Sequence, residues 1–402
     1  MGIQLRGVVP AMIVLGLAVG LTAGTPAWAG AGGGAAGTAS AGFADSLSAV
    51  ASVSASDAWA VGIWHDRAGN EQTLTEHWNG RAWRIIASPD PAGRGADNEL
   101  DAVAATSRAD AWAVGEFWNG ANWQPQTEHW NGRTWRAAST PDPGGHAARD
   151  DLTAVTATSP SSAWAVGEYS AGSTERALIL HWNGRAWRRV VSPSPGGTHG
   201  SVLTSVTAVS PASIWAAGEY WTATTEKTMI LHWNGRKWRQ VASPDVGGGT
   251  SSTGALAGIA FGSQSVAWAA GSYFTTPSVQ QTLTEHWNGR HWRITASPDP
   301  SGPAQSSALV AIAAAGTQAW AVGNASSGHT YFPLALRWNG TSWAASPVPL
   351  PAGATGGGLW GAGPAPSGKA WAVGEYFTAR AALTLTERWN GTAWKRVASP
   401  SR

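Results

Sequence analysis

Four glutamates directly follow the glycine of a recurring W-A-V-G or W-A-A-G run: Glu116, Glu168, Glu219 and Glu375. A carboxylate there either accepts hydrogen bonds from sugar hydroxyls or is a solvated charge at a strand end. Imidazoles serve as metal ligands and proton shuttles, and five of the ten histidines (His77, His129, His181, His232 and His286) share one place just before a tryptophan. Arg337 and Arg388 hold that place in two further copies. A position repeated at even spacing spreads its groups out and does not converge them on one ion, so no metal site is expected. The acids Glu76, Glu128, Glu285 and Glu387 alternate with Leu180, Leu231 and Leu336 at one repeated position. That distribution argues against a catalytic pair of defined separation. Asp90, Asp142, Asp299 and Asp245 follow prolines, where turn chemistry explains them. No calcium loop, nucleophile elbow or phosphate-cradling glycine motif is present. No catalytic residue and no cofactor is assigned.

The composition bounds the setting. Residues 1–29 read as a secretion signal: Arg6, then an apolar core, then Ala27-Trp28-Ala29 as a small-residue cleavage site. No later run is long and apolar enough to span a bilayer, so a secreted, extracellular protein without an anchor or membrane insertion is expected. Cysteine is absent, which excludes disulfides. Without Arg6, 25 basic side chains face 24 acidic ones, a balance that gives no case for nucleic acid. Charged residues are only 12% of the chain, yet it holds 27 tryptophans, ample apolar area for a core.

Those residues are positioned by a repeat, which has to be settled before any local reading. A first tryptophan recurs at 59, 112, 164, 215, 268, 320 and 371, in A-W-A-V-G or a near copy. W-N-G brings a second at 78, 130, 182, 233, 287, 338 and 389, and a third comes five residues later in all seven units. The period is 51 to 53 residues. Each unit offers four short strand signals, A to D, here L-S-A-V-A-S-V-S, A-W-A-V-G-I-W, T-L-T-E-H-W and W-R-I-I-A-S, bounded by Gly, Pro, Asn and Ser. In strand B, Trp59 and Val61 point to one face and Ala58, Ala60 and Gly62 to the other, as stacked sheets require. The reading is an all-β, seven-bladed β-propeller with four antiparallel strands per blade. Units 1 and 7 carry the full pattern, which favours a closed ring over a capped solenoid. A–B–C–D holds in phase from Leu47 to Pro400, so closure without a donated strand is expected. One domain spans 43–402, with blades near 46–91, 99–143, 151–195, 202–246, 255–300, 307–349 and 358–402, after a flexible leader over 30–42. A buried tryptophan removes about 150–250 Å² from water, on the order of 4–6 kcal/mol each before entropy is subtracted.

With A-W-A-V-G, H-W-N-G-R and A-S-P-D-P as its carriers, the chain resembles secreted bacterial propellers built on V-W-A-V-G…H-W-N-G-T-x-W…S-P units. Kelch and Asp-box propellers are more distant; Asn79 stands near the Asp-box aspartate with spacing one residue shorter. The resemblance covers all seven units and implies the fold. It implies little about activity, since propellers host binders and enzymes alike. A kelch-type copper-radical oxidase needs a cysteine that this chain lacks.

Length varies only between strands B and C and between D and the next A, so variation is confined to one rim. The irregular aromatics fall there too. An aromatic recurs at Trp64, Phe117, Tyr169, Tyr220, Tyr273 and Tyr376, and the next position varies through His65, Trp118, Ser170, Trp221, Phe274, Ser326 and Phe377. Trp123, Tyr331 and Phe332 lie in the same loops. Rings beside polar groups suit stacking on sugars or anchoring a protein; the other reading is that they pack together to cover the rim. The candidate ligand contacts are Trp64, His65, Trp118, Trp123, Trp221, Phe274, Tyr331, Phe332 and Phe377, with Glu116, Glu168, Glu219 and Glu375. Three functions follow: a monomeric binder of glycan or surface polymer, a scaffold for an extracellular protein partner, and a polysaccharide-directed enzyme. The last requires acids of shifted pKa from different blades in the channel mouth. W-N-G-x-x-W occurs twice in unit 2. Trp130 to Trp135 is in register with six other copies; Trp118 to Trp123 is out of register, in the B–C loop.

Overall fold

The two-faced alternation of the W-A-V-G strands is realised in seven separate four-stranded antiparallel sheets, each ordered A-B-C-D from consecutive strands. The computed structural model describes residues 44–246, 253–328 and 330–402; the segments read from the sequence as a secretion signal and a leader lie outside the described residues. In blade 2 the strands are Asn98–Ser107, Asp110–Trp118, Trp123–Trp130 and Trp135–Ala138. Each strand A packs on the strand A of the next blade, and that of blade 7 (Gly356–Ala365) packs on that of blade 1 (Asp45–Ser54), closing the ring. Strand A is therefore the inner wall and strand D the outer edge. No helix among the described residues is long and apolar enough to cross a membrane.

One joint repeats around the ring. Trp59 of blade 1 meets the Trp135 indole of blade 2 edge-on at 5.0 Å, and Trp130 at 4.7 Å. Trp371 of blade 7 meets Trp78 and Trp83 of blade 1 in the same way, at 5.3 and 5.2 Å. The seam is thus a joint like the others, with no donated strand. The small face receives these rings: Ala58 and Ala60 pack in one cluster with Trp371 and Val373. The first and third tryptophans of every unit are buried. The second is buried in blades 1, 6 and 7 (Trp78, Trp338, Trp389) but half-exposed at Trp130, Trp182, Trp233 and Trp287. Trp130 therefore gives only part of its ring to the core.

The strand B glycine answers a close approach between strands. A Cβ on Gly167 would sit 2.3 Å from the Asp151 carbonyl oxygen, beside an irregularity in the A–B register. In the C–D turns, Gly132 takes φ +89° while Asn131 Oδ1 accepts from the backbone N–H groups of Arg133 and Thr134. The out-of-register copy builds the same turn: Gly120 has φ +96° and Asn119 Oδ1 accepts from Ala121 and Asn122. The repeated histidines lie on their own strand B tryptophans, as His181 does on Trp164 at 4.2 Å. Arg388 replaces that contact with a cation–π one over Trp371.

Candidate functional site

Strand register sets two layers at the B–C end of each blade. The outer layer pairs His65 with Glu71, Trp118 with Trp123, Trp221 with Glu226, and Ser326 with Tyr331. One layer in lie Ile63, Glu116, Glu168, Glu219, Ser272, Asn324 and Glu375, on the same strand face as the buried first tryptophans.

Those glutamates correct the reading of solvated strand-end charges. Glu116, Glu219 and Glu375 are buried, and Glu168 is half-buried. The reason is closure: the D–A segments bring the start of each strand A over the strand B ends. Arg149, just before strand A of blade 3, reaches Glu116 at 3.2 Å and Asp151 at 3.4 Å. Burial holds the Glu168 carboxyl up at about 9, helped by the charges of Asp151 and Glu175. Burial also raises Glu116 well above the usual range, Asp151 adding to this and Arg149 opposing it. Glu219 is raised by burial and by Glu226 beside it. Glu375 rises to about 7 through burial, partly offset by the Trp360 indole and the charge of His65.

Several of these partners went unseen in the sequence. Glu99, Asp101, Asp151 and Trp360 flank the repeat leucine of strand A. Their counterparts are small, hydroxylic or aliphatic: Ser46 and Ser48 in blade 1, Ala255 and Ala257 in blade 5. That irregularity beside an invariant leucine was the available signal. Burial and the charge of Asp151 hold Asp101 at about 7, and burial holds Asp151 at about 6 against the pull of Arg149. Blades 2 to 4 thus gather carboxyl groups in one arc of the ring, while Ser272 and Asn324 stand at the glutamate position in blades 5 and 6. Among the described residues, no group of His, Asp and Glu is arranged to hold a metal ion.

The candidate aromatics divide by exposure. Tyr331 and Phe332 are exposed at 39% and 40%. Phe332 lines an open cavity of about 410 Å³ with Pro300, Ser301, Gln305, Ser327 and Ser346. Trp118 and Trp123 are half-buried and meet edge-on at 5.8 Å. The Trp221 indole lies against Gly200, where a Cβ would approach it to 3.0 Å, and Phe377 lies against Gly356. Trp64, half-buried, is covered by Arg402 at 4.6 Å. His65 Nδ1 donates to the Ala44 carbonyl at 2.5 Å, and its Nε2 lies 3.5 Å from Glu71. Phe274 is half-buried. The structure therefore brings Tyr331 and Phe332 to a free surface and engages Trp64, His65, Trp221 and Phe377 in packing.

No protein-family model matches the chain, and no curated protein does. Among solved structures it is similar to a polysaccharide lyase of family PL25, an ulvan lyase bound to -[GlcA(1-4)Rha3S]-. The TM-score is 0.48 at 10% identity, over 86% of this chain and 97% of that one. A mutant of AofleA from Arthrobotrys oligospora follows at 0.42 and 13%, over 75% and 86%. A thermostable family-43 glycoside hydrolase stands at 0.34 and 10%, over 60% and 90%. At these levels the likeness carries nothing about activity.

Proposed function

We propose that this propeller is a secreted, monomeric glycan-binding protein that uses its B–C/D–A rim. The proposal includes removal of residues 1–29 on export and a single folded domain over 43–402. The observation that carries it is the exposed pair Tyr331 and Phe332 at the blade 6 hairpin, with Phe332 beside hydroxyls and the Gln305 amide in a sugar-sized cavity. An aromatic face covers the C–H face of a sugar while neighbouring polar groups take its hydroxyls. A glycan array and polysaccharide pull-downs test it. Tyr331→Ala/Phe332→Ala is expected to weaken capture by about tenfold or more. No capture by the unsubstituted protein, or equal capture by the variant, would sink the reading.

A polysaccharide-directed enzyme is a second reading, favoured by one observation. Glu116 and Asp151 come from different blades, both carry raised pKa values, and both meet Arg149. Against it, Glu116, Glu168, Glu219 and Glu375 occupy one repeated position. Release of reducing ends from a captured polysaccharide, lost in Glu168→Gln, would favour the enzyme.

A further inference from the structure

The near-neutral sum of charges hides their separation by the fold. Asp and Glu gather at the B–C/D–A rim and channel, and arginine gathers on the opposite rim and outer wall. The C–D turns of blades 2 to 5 carry Arg133, Arg185, Arg236 and Arg290, all exposed. Three residues on, strand D of each blade adds Arg136, Arg188, Arg239 and Arg293, also exposed. Blade 1 carries Arg81 and Arg84 at those places, blade 6 has Thr341 and Ala344, and blade 7 has Thr392 and Lys395. Asp57 and Asp110, the described carboxylates of this rim, are buried and already engaged. Asp57 pairs with Arg108 and His77, and Asp110 with His129. None of the eight arginines forms an ion pair with a described carboxylate.

The same four blades leave the second tryptophan half-exposed, as Trp130, Trp182, Trp233 and Trp287. Between blades 2 and 3 this produces a cavity of about 340 Å³, lined by Trp182, Arg185, Arg188, Ser139 and Thr140 with Pro141. It combines an indole, two guanidinia and two hydroxyl-bearing side chains in a volume that suits one sugar ring. The guanidinium fork matches carboxylate and sulfate oxygens in pairs, and the indole and proline offer apolar contact to ring C–H groups.

We propose that the outer wall of blades 2 to 5 is a second binding surface, for an acidic polysaccharide whose carboxylate or sulfate groups lie along the arginine row. A polysaccharide fits better than a single-stranded nucleic acid. Single-strand binding stacks successive bases on open aromatic faces, whereas the Trp182 indole is only partly exposed and clusters with Trp112 at 4.8 Å and Trp187 at 6.0 Å. One exposed arginine holds an anion weakly in salt. A row of them acts on a chain through effective concentration, because each bound unit presents the next.

Affinity electrophoresis through polygalacturonate, dextran sulfate and neutral dextran tests this surface. At low salt the protein is expected to be retarded in one or both acidic gels, which tells carboxylate from sulfate, and much less in neutral dextran. Arg133→Gln/Arg185→Gln/Arg236→Gln/Arg290→Gln is expected to lose at least about tenfold in affinity and most of its salt dependence. The four matching lysine variants keep charge but lose the fork, and should bind with intermediate strength. Tyr331→Ala/Phe332→Ala should bind the acidic polymers as the unsubstituted protein does, which separates this surface from the blade 6 site. Three results would overturn the proposal: no retardation in either acidic gel, retardation unchanged in the glutamine variant, or displacement by single-stranded oligodeoxynucleotide at lower charge concentration than by the polysaccharides.

Discussion

The guanidinium carbon of Arg402 lies 4.6 Å from the centre of the Trp64 ring, joining the segment after the last strand of blade 7 to strand B of blade 1. The backbone N–H of Arg402 also donates to Asp45, and Ala44 forms a parallel bridge with Ala382. These contacts add a clasp across the seam to the tryptophan joint. Arg402→Ala is expected to lower stability by about 0.5–1 kcal/mol, whereas Arg380→Ala, at an exposed arginine of the same blade, should change nothing. Thermal melts of the two variants beside the parent check this.

Stability should fall from mildly acidic to mildly alkaline pH. Burial raises Glu76, Glu285 and Glu387 to about 8 from an ordinary 4.5, with Asp45 adding to the rise at Glu76, Ser243 opposing it at Glu285 and Arg396 opposing it at Glu387. Between those values the folded chain holds protons that the unfolded chain has released. Their contribution is therefore fully present below about pH 4.5 and is lost as pH rises through about 8. Melting temperatures from pH 5 to pH 9 should decline and then level, and Glu76→Gln/Glu285→Gln/Glu387→Gln should flatten the decline. A rise across that range would contradict the assignment.

Glu128→Leu should stabilise the protein at pH 8. Glu128 is fully buried and neither carboxylate oxygen has a hydrogen-bond partner among the described residues. Burial and the charge of Asp90 raise its pKa. Leu180, Leu231 and Leu336 occupy the same place in other blades, so the site already suits an apolar side chain of that size. Removing a buried polar group that lacks hydrogen-bond partners relieves a desolvation cost of about 1–3 kcal/mol. Urea unfolding of parent and variant at pH 8 is the measurement, and a lower midpoint would refute it.

The two copies of W-N-G-x-x-W should respond differently to truncation. Trp135 is 4% exposed and seals the joint against Trp59, so Trp135→Ala should cost about 3–5 kcal/mol. Trp118 is half-buried and meets only Trp123 among the ring contacts, so Trp118→Ala should cost less than half as much. Chemical denaturation of both variants decides the order.

The repeat made the blades, the strand alternation and the seven-fold ring legible, because each unit solves the same packing problem with Trp59-type rings against Ala58 and Ala60. The turns were equally legible, since Asn-Gly carries its own hydrogen-bond geometry, and Trp118 to Trp123 builds it even out of register. Exposure was not. Tyr331 and Trp221 read alike as loop aromatics, yet one is free and the other lies on Gly200. Glu116 and Asp151 are far apart in sequence and were read apart, one as a strand-end charge and the other not at all.

What this sequence determined by itself is the unit: four strands, one small and one large face, and a count of seven. Those follow from local periodicity, which each segment carries within its own residues. Only the tertiary structure decided which carboxylates lose water and that Arg149 stands between two of them. These depend on how far the ring's closure brings neighbouring blades together, and that distance is a property of all seven units at once.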